Sequence, residues 1–452
     1  MQDKKVNSTW ILIFTSLGFF MSMMDTMIVT TATTAIRNDF QISLSSLQWS
    51  LNAYNITIAA VLLVGVSLGE KIGRKKIYLI GIFIFTVASV LCALSNNITS
   101  LIIFRIIQGI GASVMTPMSM AILTHALPES ERGKALGIWS GVGGLALIIG
   151  PALGGVIVAI LTWQWIFWIN VPIGLLTIYF AQRVLPESKG KNDKLSLIDF
   201  ILITISSAGI IWSLSEINSN AIKYIPIGVG LVSILLGILF INRQKHSITP
   251  MIPLDLFQSK IFTNGNIATF LLYASMFGIV FFLPQFFIAV QQVNPLTAGL
   301  QLLPWTGTLV IVAPFAGSAV DKYGEKIIAT LGLLFQGVGY LLIALILNIT
   351  DSYLAMVLPL IIAGMGLSMA GPALQKCVLS SVKPIYIGKA SGIYNVFRLL
   401  GGAVGTTFSV IIFYVYGDIS SITTFADGFY AVILCAGVIS LLGIVFSINL
   451  KK

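Results

Sequence analysis

The sequence predicts an all-α polytopic membrane protein with fourteen transmembrane helices. Its composition is the first reason: 57% of the 452 residues are hydrophobic and 9% are charged, whereas about 25% of a soluble domain is charged. The second reason is that apolar windows of about 20 residues, the length of a helix that crosses a bilayer core, recur along the whole chain. The third is the distribution of lysine and arginine among the connections.

The fourteen windows are separated by short polar connections, and several contain Gly or Pro, which membrane helices tolerate. In chain order they cover 9–35, 47–67, 77–95, 99–122, 134–160, 164–185, 197–218, 223–242, 262–290, 296–320, 327–347, 352–378, 386–415 and 426–449. The first window is too long for the apolar core of a signal peptide, and no small-residue cleavage site follows it. We therefore expect it to form the first transmembrane helix.

Basic residues determine the predicted orientation. An even number of helices places both termini on one side of the membrane. With that side inside, all but four of the 26 lysine and arginine residues lie at the inner face, the exceptions being Arg37, Lys223, Arg105 and Arg398. The positive-inside rule therefore predicts cytoplasmic termini and a multi-pass protein of the cell membrane. The abundance of isoleucine and lysine is typical of a low-GC bacterium.

Composition and missing motifs exclude several functions. A net charge of +10 would favour nucleic acid as the partner of a soluble protein, but here the charges lie in short membrane loops, so we expect no nucleic acid partner. Cys92, Cys377 and Cys435 lie in apolar windows without metal-ligand spacing, which predicts neither disulfides nor a metal site. Without a phosphate-binding loop, paired acids or a nucleophile–base set, the sequence predicts no enzyme and no cofactor, and an ion gradient as the driving force.

An internal repeat divides the chain into two related halves. The segment GKALGIW at 133–139 returns as GKASGIY at 388–394, and LGEKIGRK at 68–75 resembles AVDKYGEK at 319–326. Both pairs are separated by eight predicted helices. Six-helix halves produce this offset when two helices are inserted between them.

The predicted units are an N-terminal six-helix lobe at 1–190, two inserted helices at 191–250 and a C-terminal six-helix lobe at 251–452. Repeated halves with a site at their interface near the bilayer midplane are the architecture of secondary transporters. The repeat therefore predicts a transporter whose substrate passes between the two lobes.

Short motifs occur in helix order along nearly the whole chain. In predicted helix 1 the segment is MMDTMIVTTA, with Asp25 as its acid, and LGEKIGRK follows helix 2. Further motifs are RIIQGIGA at 105–112, Gly137 followed by GPALGG at 150–155, WQWIFWINVPIG at 163–174, LPQ at 283–285, PLTAG at 295–299 and RLLGG at 398–402. Together they resemble the major facilitator superfamily, specifically its fourteen-helix drug:proton antiporters. Glu70, Ala146 and Gln164 depart from the family pattern, in place of Asp, Gly and Arg.

The resemblance implies a major facilitator fold and a secondary active multidrug exporter of the quaternary-ammonium type, expelling lipophilic, mainly cationic drugs or dyes in exchange for protons. It also implies an inner gate in the repeated loops, formed by Glu70, Lys71, Gly73, Arg74, Asp321, Lys322 and Gly324. The antiporter motif of helix 5 would consist of Gly137, Gly150, Pro151, Gly154 and Gly155. From the residues alone, ordinary close packing of helices also explains these glycines, and a membrane anchor also explains the basic loop.

Asp25 and Arg105 are the candidate proton-coupling residues. An acid at the centre of a membrane helix costs about 2.5–3.5 kcal/mol on insertion scales, so it requires a partner, water or a function. At a rise of 1.5 Å per residue, Arg105 lies roughly 9 Å below the outer face and Asp25 roughly 24 Å above the inner face of a core about 30 Å thick. The two charges therefore lie at similar depth, either as a static structural pair or as a site that binds and releases a proton.

Polar residues at helical spacing predict a wet cavity between the lobes, lined also by soft or aromatic side chains. The candidate lining residues are Ser22, Asp25, Thr26, Gln48, Asn52, Asn55, Gln108, Met115, Gln285, Gln336, Tyr340, Asn395 and Arg398. Arg398 lies near the midplane without an acid of the second lobe at matching depth, so its role is open.

Alternative functions stay open at this point. A single carboxylate does not select the coupling ion, so sodium is an alternative to the proton. The cargo could equally be a metabolite or a peptide, and a non-transporting membrane sensor could use the same scaffold. We expect a monomer that is in contact with membrane lipid.

Overall fold

The computed structural model describes residues 8–42, 44–190, 196–216, 224–247, 250–293, 295–350, 352–418 and 420–450, and within these ranges all regular secondary structure is helical. The α-helices are α1 (Ser8–Phe40), α2 (Leu44–Ile72), α3 (Arg74–Ala93), α4 (Ile98–Ala126), α5 (Glu129–Ile160), α6 (Trp165–Trp168), α7 (Asn170–Val184), α8 (Leu197–Glu216), α9 (Tyr224–Lys245), α10 (Lys260–Ala289), α11 (Pro295–Leu300), α12 (Leu303–Tyr323), α13 (Glu325–Leu347), α14 (Tyr353–Ser380), α15 (Ile387–Tyr416) and α16 (Ile422–Ser447). Two short 3₁₀ helices, Leu254–Gln258 and Pro384–Tyr386, precede α10 and α15.

A helix lies at each of the fourteen predicted windows. Within the described residues, twelve segments are long and apolar enough to cross a membrane by length and composition. The other two windows contain α5, of 32 residues, and α8, whose apolar part Leu197–Ser213 is shorter than the other candidates. The all-helical membrane class is therefore confirmed, whereas a count of fourteen crossings stays a prediction.

Two glycines make the sharp bends of the repeated loops. Gly73 separates α2 from α3 with φ 134°, and Gly324 separates α12 from α13 with φ 88°. A residue with a Cβ is strained at such positive φ values, whereas glycine adopts them readily. Each bend follows an acid near the end of the preceding helix, Glu70 in α2 and Asp321 in α12. A charged residue begins the next helix, Arg74 in α3 and Glu325 in α13.

The helices pack as two groups. Most contacts of α1 to α7 are with one another, and so are most contacts of α10 to α16, whereas α5 packs extensively on α12 across the boundary between the groups. One hydrophobic cluster contains only residues of the first group, including Ile36, Leu101 and Phe167, and lies toward the predicted outer ends of its helices. Another joins both groups near the predicted inner ends, where Ile11 and Leu123 share a core with Tyr394. The two lobes are thus joined at their predicted cytoplasmic side.

α8 and α9 form a hairpin beside these groups. Arg243 Nε donates to Asp199 Oδ1 over 2.8 Å, and the Ser206 hydroxyl donates to the carbonyl of Ser233 over 2.8 Å. α8 also packs on α2 and α15, whereas α9 packs chiefly on α8. The hairpin is therefore attached to the lobes through one helix, and most of α9 faces outward.

Candidate functional site

Asp25 lies in a buried network inside the first lobe. Its carboxylate has no exposed surface and accepts from three donors. Arg105 Nη1 donates to Oδ2 over 2.5 Å, Gln108 Nε2 donates to Oδ1 over 2.9 Å, and Asn170 Nδ2 donates to the same Oδ1 over 3.2 Å. The ion pair expected from the matching depths is therefore present, and two amides complete it.

Four helices position this network. α1 carries Asp25, α4 carries Arg105 and Gln108 one turn apart, and α7 begins at Asn170. Gln108 Oε1 also accepts from Arg105 Nη1 over 2.7 Å, and its Nε2 donates to Ser89 Oγ of α3 over 2.9 Å. Every member is at most 1% exposed. The arrangement fixes the carboxylate from several sides and excludes water from it.

Tyr54 of α2 covers the other side of the arginine. The Arg105 Cζ lies 4.0 Å from the Tyr54 ring centroid, and the Tyr54 hydroxyl lies 3.2 Å from Ser22 Oγ. Arg105 Nε has no acceptor among the described residues. The guanidinium is therefore held mainly by one carboxylate, one amide and one aromatic face.

Protonation would change the balance of this network. Removing one partner of a buried ion pair leaves the other charge uncompensated, at a cost of about 3–5 kcal/mol. A proton on Asp25 would leave the positive charge of Arg105 uncompensated unless the helices rearranged or water entered. The network can therefore couple proton binding to a movement of α1 against α4.

The repeated loops dock across the lobe interface. Asp321, at the end of α12 in the second lobe, accepts from the backbone amides of Gly133 and Lys134 over 3.0 and 2.9 Å, at the start of α5 in the first lobe. Lys376 Nζ holds the same carboxylate over 3.0 Å and also contacts Glu325 over 3.3 Å. The carboxylate thus lies in the N-terminal part of α5, where a negative charge complements the helix dipole.

The first-lobe loop makes the reciprocal contact. Glu70 binds Arg74 through two bonds of 2.7 and 3.1 Å, and both side chains are buried. Its carboxylate lies against Gly388, where any side chain would overlap it. Each acid of the repeated loops therefore lies against the N-terminal part of a helix in the opposite lobe, at the two copies of the Gly-Lys-Ala sequence. Lys71 and Lys322 are exposed.

The glycines of α5 allow the two lobes to touch. A Cβ at Gly137 would lie 2.5 Å from the carbonyl oxygen of Ala313 in α12, and Gly144 packs on Leu309. Further along, Gly150 packs on Met27 of α1. Gly154 is buried. Gly155 is exposed, and a Cβ there would meet no described atom within 4 Å. The Pro151 side chain lies outside the described part. The inner half of the motif is thus interface packing between lobes.

The predicted cavity residues fall into different environments. Asp25, Ser22 and Gln108 belong to the buried network, and Thr26 is half-buried with its hydroxyl donating to the carbonyl of Ser22. Four more are fully buried inside the packed helices, so they do not line a cavity in this conformation: Met115, Gln336, Tyr340 and Asn395. Two are exposed, Asn55 and Gln285. The side chains of Gln48 and Asn52 lie outside the described part. Arg398 lies where the lobes meet.

Sequence reasoning missed several members of the site. Asn170 lay within a recognised motif, but nothing in the motif indicated that its amide reaches Asp25. Ser89 and Tyr54 carry no pattern that separates them from ordinary packing residues. Lys376 could have been noticed as a basic residue close to the end of an apolar window.

Comparisons with known proteins agree with this architecture. A family model described as Major Facilitator Superfamily matches residues 15–406. A riboflavin transporter of Clostridioides difficile is 32% identical over 88% of this chain and 87% of its own length. A multidrug transporter protein of Bacillus subtilis is 30% identical over 90% of this chain and 75% of its own length. A methylenomycin A resistance protein of the same species is 28% identical over 95% and 92%.

Solved structures agree in fold. The human organic anion transporter called TETRAN aligns with a TM-score of 0.69 and 14% identity, over 98% of this chain and 99% of that one. A proton:xylose symporter aligns with a TM-score of 0.68 and 16% identity, over 96% and 94%. At these identities the likeness shows a shared fold and nothing about substrate.

Proposed function

The chain belongs to the Major Facilitator Superfamily and is a multi-pass membrane transporter rather than an enzyme, and on this premise we propose that it exports lipophilic compounds in exchange for protons. One observation carries the proposal: Asp25 is a fully buried carboxylate, and among the described residues the charged side chain in contact with it is Arg105. Ionisable groups within membrane segments mark ion pathways and proton relays.

The coupling would work through the network around Asp25. In the conformation described, the lobes are closed at their inner side, and the Asp25 carboxylate is held by Arg105, Gln108 and Asn170. We propose that a proton arriving from outside neutralises Asp25 and frees Arg105, and that the lobes then rock to open the inner side. Release of the proton there would restore the ion pair.

Multidrug export is the more specific part of the proposal and concerns the cargo. Two relatives of 30% and 28% identity are a multidrug transporter and an antibiotic resistance protein, which supports drug-like cargo. Lipophilic cations, the class that the motif resemblance implies, could compete with the proton for Asp25. In this conformation that carboxylate has no exposed surface, so coupling through lobe movement is the better supported route.

The cargo, the coupling ion and the class of function each have an alternative. Export of a metabolite is the second candidate, because the riboflavin transporter is 32% identical over most of both chains. Sodium is the alternative ion, because a carboxylate binds either cation. A non-transporting sensor would keep its function without Asp25.

The remaining structural predictions belong to the same proposal. We infer fourteen crossings, with the lobes at 1–190 and 251–452 and the inserted pair at 191–250. Both termini would be cytoplasmic, in the cell membrane of a bacterium, and the protein would act as a monomer in contact with lipid.

Transport of ethidium into everted membrane vesicles tests the proposal, because export from the cytoplasm becomes accumulation inside such vesicles. An imposed pH gradient should drive dye transport in the wild-type protein, an imposed sodium gradient should not, and Asp25→Asn should lose the pH-driven component. Asp39→Asn is the matched control on the same helix, because Asp39 is exposed and an asparagine oxygen can still accept from Trp163 Nε1. Dye transport driven by neither gradient would contradict the proposal.

A further inference from the structure

Arg398 is a second intramembrane arginine, and among the described residues it has no hydrogen-bond or ion-pair partner. It lies on α15 and is 9% exposed. Across the described ranges its guanidinium makes no hydrogen bond or ion pair. Arg105, by contrast, is matched by a carboxylate and an amide.

The surroundings of Arg398 come from both lobes. Its Cζ lies 5.6 Å from the ring centroid of Phe19 in α1 and 5.8 Å from that of Tyr273 in α10. Phe19 in turn stacks on Trp139 of α5, with ring centroids 3.8 Å apart. The guanidinium thus lies between aromatic rings at the place where the two repeats meet.

The depth of this place is near the bilayer midplane. Arg398 and Phe19 each follow the first residue of their helix by eleven positions, which at 1.5 Å per residue is roughly 17 Å into a core about 30 Å thick. Secondary transporters place their substrate sites at the midplane, on the interface between repeats. The position alone therefore makes Arg398 a candidate substrate contact.

The charged residues at the lobe interface indicate which substrate group fits beside Arg398. The described acids in contact with the lobe interface, Glu70 and Asp321, lie at the inner end and are bound to Arg74 and Lys376. Asp25 is enclosed within the first lobe. The described middle of the interface therefore carries one positive charge without a negative one, which favours an anion over a cation.

We propose that Arg398 binds an anionic group of an aromatic substrate in the cavity between the lobes, with Phe19 and Tyr273 against the ring system. A guanidinium binds a carboxylate or similar anion through charge-assisted hydrogen bonds, and aromatic faces contribute stacking area. The inference deepens the proposed export function and rests on it for the direction of transport. It adds aromatic compounds that carry an acidic group to the lipophilic cargo of the proposed function.

Binding of a matched series of pyrenes tests this assignment. Pyrenebutyrate, pyrenebutanol and pyrenebutylamine share one aromatic core and differ in carrying an anion, a neutral group or a cation. Their fluorescence would be titrated against the purified full-length protein in nanodiscs, without any gradient, with empty nanodiscs subtracted. The variants are Arg398→Gln, Arg398→Lys and the control Arg183→Gln, since Arg183 stacks on Tyr179 at 4.0 Å but is exposed.

The wild-type protein should bind pyrenebutyrate about tenfold more tightly than pyrenebutanol, the size of a charge-assisted bond. Arg398→Gln should remove that preference while changing pyrenebutanol binding less than twofold. Arg398→Lys should retain part of it, and Arg183→Gln all of it. A wild-type preference for pyrenebutylamine, or an anion preference unchanged in Arg398→Gln, would overturn the assignment.

The two proposals can fail separately. Pyrene binding is measured without a gradient, so loss of proton coupling does not alter it, and Asp25→Asn should keep the anion preference. Conversely, pH-driven ethidium efflux would stand even if Arg398 proved indifferent to substrate charge.

Discussion

Asp321 of the second lobe accepts a hydrogen bond of 3.0 Å from the backbone amide of Gly133 in the first lobe. Glu70 of the first lobe lies in turn against Gly388 of the second. The sequence repeat therefore has a structural meaning beyond internal similarity: each loop carries an acid, and that acid lies against a Gly-Lys-Ala segment in the N-terminal part of a helix of the opposite lobe. Opening the inner side requires both contacts to break.

Asp321→Asn should weaken the closed inner side. An asparagine can accept only through one oxygen and has no charge for the helix dipole or for Lys376, and a hydrogen bond to a charged group is worth about 1.5–3 kcal/mol. A cysteine placed at the buried Ala390, in a background lacking the native cysteines, should then react with a soluble maleimide about three- to tenfold faster. Asp255→Asn, at an exposed position of the 3₁₀ helix before α10, should leave the rate unchanged. Equal rates in all three proteins would show that the contact does not hold the gate.

Gly137→Ala should damage the protein, whereas Gly155→Ala should be tolerated. A methyl group at Gly137 collides with the carbonyl of Ala313, and overpacking of this kind costs about 1–3 kcal/mol. At Gly155 a methyl group meets open space. Thermal unfolding in detergent should show a lower midpoint for the first variant only, with reduced efflux. Equal stability of the two variants would contradict the close approach of α5 and α12.

Arg105→Lys should lose pH-driven efflux at least tenfold although the charge is kept. One guanidinium nitrogen donates to both Asp25 and Gln108 while the plane stacks on Tyr54, and a lysine cannot reproduce this geometry. Arg183→Lys is the control for an exposed stacked arginine. Full efflux in Arg105→Lys would mean that only the charge at this position matters.

Arg105→Gln should also destabilise the fold, by about 3–5 kcal/mol, because it leaves the Asp25 carboxylate buried without a counter-charge. Adding Asp25→Asn to the same protein removes the orphaned charge, so the unfolding midpoint should rise again while transport stays lost. A double variant that is no more stable than Arg105→Gln would show that the two charges do not compensate one another in the folded protein.

The sequence predicts the helical class from the length of its apolar windows and the repeat from its recurring segments. It predicts the Asp25–Arg105 pair from the depth of each residue along a straight helix. It does not predict Asn170 in the network, since the reach of that amide depends on the rotation of α7 about its axis. Helical spacing of polar residues was a weaker guide: Gln336 and Asn395 are fully buried among packed helices. A polar face serves contacts between helices as readily as a cavity, and only tertiary packing separates the two.

Transport by the Asp25→Asn protein in proteoliposomes tests the central claim most directly. Two rates would be measured with the same dye: accumulation driven by an imposed pH gradient, and exchange of labelled for unlabelled dye without any gradient. If Asp25 carries the proton, the variant should lose accumulation at least tenfold and keep exchange within about twofold of wild type, because its lobes can still alternate. Undiminished pH-driven accumulation in Asp25→Asn would contradict the claim.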